Sequence, residues 1–472
     1  MMISLKWRPR GCPAYAGILT ACSMAMAWSM AVALVCAAPS YAQSPMDLSI
    51  DDAITIGLQK NRVLKISEAR VDAASAKAGE AGAGLLPSVK FSAGYTRLSD
   101  VDPFRITVPF SPQPITIAPT VLDNYSVRAT VQQPLFTGFR LENNARAADY
   151  LMKANEYDHR SDKADLFLNI ISAYWTLYQT LEVKKFVDEN VGRLQSYQYD
   201  TENLLKAGMA TRNDLLKIQV QLNSATLAQI DAANDVQLAT MNLNNTIGQS
   251  LDLPLHLTSS PRSTTGSEQE SMRENDTTGS SVNLASKALT ARSDLQAMQS
   301  RIEAAKAGVR AANANWWPQL FLSGNYYYSR PNPRYQPTMD EFKSTWDFGV
   351  QLQVDLWNWG TTGFQAEQAK AALMQTEYAF EQMKDVVSLD VKRQSLAVRR
   401  AEEKIRVARL AIAQADENAR STRDKFQQGL ASSSELLDAT VALLQATTNL
   451  SAAFVESEVA RTRLKRAIGD LD

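Results

Sequence analysis

The sequence predicts a mixed fold in which strands of a membrane β-barrel are joined to long coiled-coil α-helices. Three observations predict it. The chain contains the same unit twice, each copy has two segments of alternating polar and apolar residues, and each copy has a proline-free stretch too long for a compact domain. The predicted order within each copy is helix, strand, strand, long helix, long helix.

The internal duplication appears when the sequence is laid on itself. An offset of 221 residues pairs Gly208 with Gly429 and continues without a gap through the following helix, whereas the region further upstream aligns at an offset of 231. We therefore predict two repeats, at 43–257 and 284–472. The segment 258–283 between them is rich in Ser, Thr, Gly and Glu without periodicity, and is predicted to be a polar linker.

Two segments in each copy alternate between polar and apolar residues, which is the period of a sheet with two unlike faces. A soluble sheet packed on a core would explain any one of them. Four such segments, with Tyr, Trp and Phe gathered near their ends, favour lipid on one face and water on the other. The proline-rich connections within each pair are predicted to be exposed extracellular loops. The predicted strands lie at about 88–97, 124–134, 319–328 and 345–357.

Each copy continues into two long helices. The stretches Arg140–Lys206 and Thr361–Gln428 contain no proline, and each would reach about 100 Å as one continuous helix. The returning helices carry a seam in which Leu alternates with Ala, as in a closely packed antiparallel coiled coil. An ordinary helical bundle would explain the seam equally well, but the length favours the wall of a tunnel. The predicted helices lie at about 140–207, 212–247, 361–428 and 433–468.

Residues 1–42 are predicted to be a secretory signal peptide. Three basic residues precede a long uncharged stretch, which contains the small-x-small cleavage signal Ser40-Tyr41-Ala42. A retained membrane anchor is one alternative, because the apolar run is long enough to span a bilayer. Acylation at Cys22, within a sequence that resembles a lipoprotein box, is the other.

The composition argues against an enzyme and against a nucleic-acid partner. All three cysteines lie in the predicted leader, and the only histidines are His159 and His256. No phosphate-binding glycine loop is present, so we find no catalytic constellation, no cofactor site and no dedicated metal site. Removing the leader takes away three basic residues and no acidic ones, which makes a chain of 49 basic and 50 acidic residues more acidic and disfavours nucleic acid.

Short motifs at the strand boundaries carry a family resemblance. Leu85-Leu86-Pro87 and Trp316-Trp317-Pro318 precede the first strand of each copy, and Gln133-Pro134-Leu135-Phe136-Thr137-Gly138 ends the second strand of the first copy. Together with the duplicated order, these motifs resemble the TolC-like outer-membrane efflux proteins over essentially the whole mature chain.

The resemblance implies a homotrimer in the outer membrane of a Gram-negative bacterium. Each chain would give four strands to a twelve-stranded barrel, and its helices would form a helical barrel through the periplasm. Physics agrees that four strands cannot close alone, because about eight form the smallest such barrel. The implied function is passive conduction in a tripartite efflux or type I secretion system, with a periplasmic adaptor protein, an inner-membrane transporter and outer-membrane lipid as partners. The alternative is a periplasmic coiled-coil scaffold or a surface stalk protein that transports nothing.

The two hairpin tips between the long helices are predicted from turn chemistry. A glycine permits the left-handed residue that ends one helix, and Thr211 with Asp214, like Ser432 with Glu435, has the spacing of a capping box that starts the next. The resemblance adds that these tips contact the adaptor. The tips are Gly208, Met209, Ala210 and Thr211 in the first copy and Gly429, Leu430, Ala431 and Ser432 in the second.

Carboxylates beyond the turns are candidates for a periplasmic aperture. Glu435 and Asp438 are three residues apart and therefore share a helical face; by position they match the acidic ring that lines the entrance of similar proteins. Three copies would place six carboxylates around one axis, which favours cations and suits a divalent ion. As a lone pair they would serve only the helix dipole.

The usual closed-state contacts of the family are not all available in this sequence. In similar proteins a basic residue and a tyrosine tie neighbouring hairpins together, but Ala431 and Phe426 occupy the matching positions here, although Asp214 remains. Our hypothesis is that Arg212 supplies a substitute cation.

Overall fold

The computed structural model describes residues 45–107, 109–110, 113–118, 120–261 and 278–471. The chain divides into two compact units, Met1–Met46 and Asp47–Asp472, and almost all of the first lies outside the described residues. The predicted signal peptide at 1–42, and its alternatives of an anchor or an acylated Cys22, therefore lie outside the described residues as well.

Two of the helices in the described residues are very long, and each is followed by a shorter antiparallel partner. None of the helices in this part of the chain is both long enough and apolar enough to cross a membrane. The helices are α1 (Ile50–Lys60), α2 (Arg62–Ala83), α3 (Arg140–Lys206), α4 (Arg212–Ile247), α5 (Thr278–Ala291), α6 (Ser293–Asn313), α7 (Thr361–Gln427) and α8 (Ser433–Ala467).

The strands fall into one sheet of long strands and several short pieces. The long strands are β2 (Ser88–Arg97), β5 (Asp123–Phe136), β7 (Gln319–Arg330) and β8 (Lys343–Gln353); the short ones are β1 (Met46–Leu48), β3 (Phe104–Ile106), β4 (Ile115–Ala118) and β6 (Leu255–Leu257). The long strands form an antiparallel sheet in the order β2-β5-β7-β8. Within the described residues, β2 and β8 each keep one edge without a partner strand.

The two faces of this sheet differ as the alternation predicts. Large apolar side chains cover one face and stay exposed, with 73% exposure at Phe91, 71% at Trp346 and 65% at Leu352. The opposite face carries mainly Ser, Thr, Asn, Gln and charged residues, with Phe321 and Tyr327 among them. Soluble monomers rarely leave such an apolar surface in water, which marks this face as a candidate contact surface for lipid or another protein.

Three observed features differ from the sequence-based expectations. Strand β8 ends at Gln353 rather than near residue 357, because Gln353 pairs with Gln319 at the start of β7 and later residues have no partner strand. Helix α5 begins at Thr278, inside the segment predicted as a linker at 258–283, and buries Ala288 against α7. The first predicted extracellular loop contains the hairpin of β3 and β4.

Helix α3 lies at the centre of the helical part. In the half nearer the hairpin tips it packs between α4 and α8, and α8 packs in turn on α7. In the half nearer the sheet it packs between α2 and α6, and α6 packs on α7. The lateral order is therefore α4, α3, α8, α7 in one half and α2, α3, α6, α7 in the other, with α4 or α2 at one side and α7 at the other.

The outermost helices carry apolar stripes that the single chain leaves exposed. On α4 the stripe consists of Leu216, Val220, Leu227, Ile230 and Leu238, with 65% exposure at Leu227. On α7 it consists of Tyr378, Leu389, Leu396, Val407 and Leu410, with 61% exposure at Leu410. At 100° per residue each set falls within a narrow sector of its helix, so each is a continuous stripe rather than scattered apolar residues.

Candidate functional site

Both helical hairpins end in the same glycine turn. Gly208 and Gly429 have φ angles of +74° and +73°, in the left-handed region that an L side chain disfavours. The amide after each glycine reaches back to the last helical turn: Met209 N donates to Leu204 O at 2.8 Å, and Leu430 N donates to Lys425 O at 2.8 Å. These six-to-one bonds define Schellman motifs at both tips.

The returning helices start with the capping boxes that the spacing predicts. The Thr211 hydroxyl accepts from Asp214 N at 3.2 Å, while Asp214 Oδ2 accepts from Thr211 N at 3.0 Å. The Ser432 hydroxyl likewise accepts from Glu435 N at 3.2 Å, and Glu435 Oε2 accepts from Ser432 N at 2.7 Å. Each box satisfies amide groups that a helix start would otherwise leave without partners.

These hydrogen bonds stabilise the ionised form of both carboxylates. The Thr211 hydroxyl, followed by the Ser433 hydroxyl, lowers the pKa of Asp214 below its ordinary value. The Ser432 backbone amide, followed by the Ser432 hydroxyl, lowers the pKa of Glu435. Both groups are therefore charged at neutral pH, and negative charge at a helix start is favourable because of the helix dipole.

The two hairpins are tied to each other within one chain. Ser433 Oγ donates to Asp214 Oδ1 at 2.7 Å, and Lys217 Nζ donates to Ser434 Oγ at 3.0 Å. The end of the Met209 side chain lies close to Gly429, since a methyl group placed on Gly429 would lie 3.7 Å from Met209 Cε. These contacts fix the first turn of α4 beside the first turn of α8.

An apolar cluster lies directly behind the tips and joins all four helices. Ile218 and Leu436 are completely buried in it, and Leu194 is 1% exposed. Phe426 is 5% exposed in the same cluster, with Ala431 packed against it. Phe426 therefore packs in the core of the hairpins, where a hydroxyl would need a hydrogen-bond partner.

The predicted tip and aperture residues gather at this end of the molecule. Met209 and Leu430 are the exposed apolar points, at 63% and 74% exposure. Glu435 and Asp438 lie on exposed positions in the first two turns of α8. Arg212 is exposed and forms no ion pair within the part of the chain that the structure describes.

Sequence reasoning missed three residues of this site. Ser433 and Ser434 bind side chains of the other hairpin, and Lys217 donates one of those bonds. A signal was available in the repeat alignment, because the offset of 221 places Ser433 opposite Arg212 and Asp438 opposite Lys217. Positions that differ between two otherwise similar turns are candidates for contacts that each copy makes differently.

The fold and these hairpins define a class of envelope proteins. A duplicated chain joins a sheet with one apolar and one polar face to long antiparallel helices, and those helices end in two adjacent capped hairpins. This arrangement does not serve to bury an apolar core within one chain, because the apolar sheet face and the outer helical stripes both stay exposed. It suits a membrane channel that extends away from the bilayer.

The sequence matches the family described as outer membrane efflux protein, over residues 54–249 and 284–470. The chain belongs to this family. The outer membrane protein TolC of Vibrio cholerae is 24% identical over 331 residues, covering 70% of this chain and 72% of that protein. The alkaline protease secretion protein AprF of Pseudomonas aeruginosa is 22% identical over 355 residues, covering 74% and 70%.

Solved structures show the same fold. The outer membrane protein VceC from Vibrio cholerae superposes with a TM-score of 0.72 at 18% identity, covering 89% of this chain and 96% of that one. The predicted TolC-like fold, outer-membrane location and channel function are thus confirmed: the chain is an outer-membrane channel protein of an efflux or secretion system. The relatives that match are channel proteins rather than enzymes, and the scaffold or stalk alternative loses its support.

Proposed function

We propose that three copies of this chain close a twelve-stranded barrel in the outer membrane and a helical barrel in the periplasm. The trimer would conduct cargo passively from an inner-membrane transporter, through a periplasmic adaptor, to the exterior. Four strands per chain are too few to enclose a lumen, since about eight are the minimum. The unpaired edges of β2 and β8 provide a means of closure, because β2 of one copy can pair with β8 of the next.

One observation carries this proposal: each repeat holds one free strand edge and one exposed apolar stripe on an outermost helix. The first repeat contributes the free edge of β2 and the apolar stripe of α4. The second repeat contributes the free edge of β8 and the stripe of α7. A single rotational symmetry axis would therefore satisfy both the strand edges and the helical stripes.

At the other end, the hairpins are proposed to form the entrance and the docking site for the adaptor. Met209 and Leu430 provide exposed apolar contacts at the tips. Asp214, Glu435 and Asp438 would place carboxylates around the axis, which favours cations there. Arg212 would reach a carboxylate of the neighbouring copy in the closed state; an Arg212→Ala trimer whose closed-state conductance in a planar bilayer equals that of the wild type would refute this.

Disulfide trapping tests the trimer. All native cysteines lie within residues 1–42, so introduced cysteines have no competitor after processing. Leu227 on α4 and Leu410 on α7 lie at similar distances from the hairpin tips, about 25 Å along each helix. We expect the chain carrying both Leu227→Cys and Leu410→Cys to form a covalent trimer on oxidation in membranes.

The single-cysteine variants are the matched controls and should give no covalent trimer. A double variant that is cross-linked only within one chain, or that stays monomeric in the outer membrane, would contradict the proposal.

The lipid-facing side of the sheet provides a separate test against a water-soluble scaffold. Lysine at Val350 or Leu352 would face hydrocarbon and should cost about 2 to 4 kcal/mol near the bilayer midplane. The same lysine at Gln351, on the polar face, should be tolerated. Equal yields of heat-resistant trimer from all three variants would argue that the apolar face does not contact lipid.

A further inference from the structure

Two neighbouring cross-strand rows on the polar face of the sheet bring basic and aromatic side chains together. In the first row, Lys90 of β2 lies opposite Thr130 of β5, which lies opposite Asn325 of β7 and then Asp347 of β8. The second row is Ser92, Arg128, Tyr327 and Thr345. Because register partners share a face, the side chains of both rows project on the same side of the sheet.

Arg128 is held in place by neutral groups. Its Nε and Nη2 donate to Asn325 Oδ1 at 3.2 Å and 2.7 Å, and its guanidinium lies 5.2 Å from the centre of the Tyr327 ring. Thr130 Oγ1 donates to the same amide oxygen at 2.9 Å. These contacts orient the guanidinium without neutralising it, so its charge remains available to a ligand on the open side of the face.

Asp347 is the one acidic residue on this face of the four strands, and it forms an ion pair with Arg334. Asp347 accepts from Asn325 Nδ2 at 2.7 Å and from Arg334 Nη2 at 3.0 Å. Arg334 comes from the loop between β7 and β8 and also lies over the Tyr327 ring, at 5.9 Å. Lys90 forms no ion pair with any residue in the described ranges. The two rows therefore carry uncompensated positive charge from Lys90 and Arg128.

We propose that Lys90 and Arg128 form an anion-binding belt on the wall of the barrel, which favours the passage of solutes bearing carboxylate or phosphate groups. The inference rests on the proposed function, because it requires the polar face to line the lumen. Three copies would repeat the pair around the wall, and a ring of basic side chains in a confined aqueous pore concentrates anions. The half-buried ring of Tyr327 beside Arg128 adds an aromatic surface that suits anions with an aromatic group.

Reversal potentials measure this directly. Purified trimers of the full mature chain are placed in planar bilayers under a KCl gradient, and the chloride-to-potassium permeability ratio is compared between variants. We expect Lys90→Gln/Arg128→Gln to lower the ratio roughly two- to fivefold, and each single variant to lower it less. The charge-preserving pair Lys90→Arg and Arg128→Lys should leave the ratio near that of the wild type.

The matched control is Arg97→Gln, which removes one positive charge from the opposite face of the same strand, where Arg97 pairs with Asp123 at 2.8 Å. It should not change the ratio. Conducting Lys90→Gln/Arg128→Gln trimers with a wild-type ratio would overturn the belt and leave the channel function standing. Wild-type protein that forms no conducting trimer would overturn both. Lys90→Gln alone guards against misfolding, since the Lys90 side chain forms no hydrogen bond or ion pair with the described residues.

Discussion

The two hairpins share their turn chemistry and differ in their charges. Each turn has a left-handed glycine, a Schellman bond and a capping box built from a hydroxyl and a carboxylate. Beyond the turn the copies diverge: Arg212 and Lys217 in the first hairpin stand where the second has Ser433 and Asp438. What both copies keep is what the chain needs in order to reverse direction.

The divergent positions are those at which the hairpins meet. Ser433 binds Asp214 at 2.7 Å, and Lys217 binds Ser434 at 3.0 Å. Two identical hairpins would place like charges side by side, which is unfavourable. The difference between the copies therefore allows the first turns of α4 and α8 to pack together while carboxylates remain exposed on α8.

The two copies should differ most in how much stability is lost when a leucine is truncated in the apolar cluster behind the tips. Leu436 is completely buried, whereas its counterpart Leu215 is only half-buried. Truncating a buried leucine leaves a cavity, so Leu436→Ala should lower the free energy of unfolding by about 2 to 5 kcal/mol. Leu215→Ala should cost clearly less. Denaturant unfolding of the detergent-solubilised protein, followed by circular dichroism, would show this.

Equal losses from Leu436→Ala and Leu215→Ala would mean that the four-helix cluster does not form as described. The matched control is Leu430→Ala at the exposed tip, where truncation removes a side chain that is already 74% exposed and should change stability little.

Alanine at the glycine of either turn should lower stability by a similar amount, because both copies use the same left-handed turn. Gly208→Ala and Gly429→Ala each force an alanine into the left-handed region, which costs about 1 to 2 kcal/mol. Neither added methyl group meets a close contact, so strain in the backbone dominates in both copies. The same unfolding assay would detect it. A loss at only one tip would show that the two turns are not equivalent.

Much of the fold was predictable from local patterns. The alternation of Val89 to Tyr95 corresponds to β2 in the structure, and the proline-free stretches correspond to the two 67-residue helices α3 and α7. The capping boxes at Thr211 and Ser432 followed from spacing alone. In each case the information lies within a few neighbouring residues, where the hydrogen-bonding options are few.

Contacts between distant segments were not predictable in the same way. The end of β8 at Gln353 depends on where β7 begins, and the bond from Ser433 to Asp214 joins residues 219 positions apart. Helix α5 enters a segment of polar composition because Leu284 and Ala288 pack on α7. Tertiary packing determines these features. Hydrophobic periodicity and helix propensity describe one segment at a time and do not identify the segment against which it packs.

Removing the bond between the hairpins should have a moderate effect that depends on pH. Ser433→Ala deletes a hydrogen bond to Asp214 and should cost about 0.5 to 1.5 kcal/mol at pH 7. The pKa of Asp214 is lowered in the folded state by Thr211 and Ser433, so its ionised form adds stability above its unfolded value of about 3.9, and that stability is lost as pH falls further.

The difference between Ser433→Ala and wild type should therefore shrink between about pH 4 and the lowest pH at which the protein remains folded. Unfolding curves across that range provide the measurement. Ser434→Ala, which loses only the bond from Lys217, is the comparison variant and should show no such acid dependence through Asp214. A constant difference at all pH values would rule out a role for the Asp214 carboxylate in this contact.

The smallest effects, on ion selectivity, should come from the charges that differ between the first two turns of α4 and α8. Asp438→Asn removes a carboxylate near the proposed aperture, and Lys217→Gln removes a cation at the corresponding position of the other hairpin. The two substitutions should shift the potassium-to-chloride permeability ratio in opposite directions, Asp438→Asn downward and Lys217→Gln upward, each by roughly twofold or less. Both side chains are largely in water, where screening limits their influence. A shift from only one of the two substitutions would mean that only that position faces the conduction path, and the charge difference between the hairpins would then serve their packing rather than the entrance.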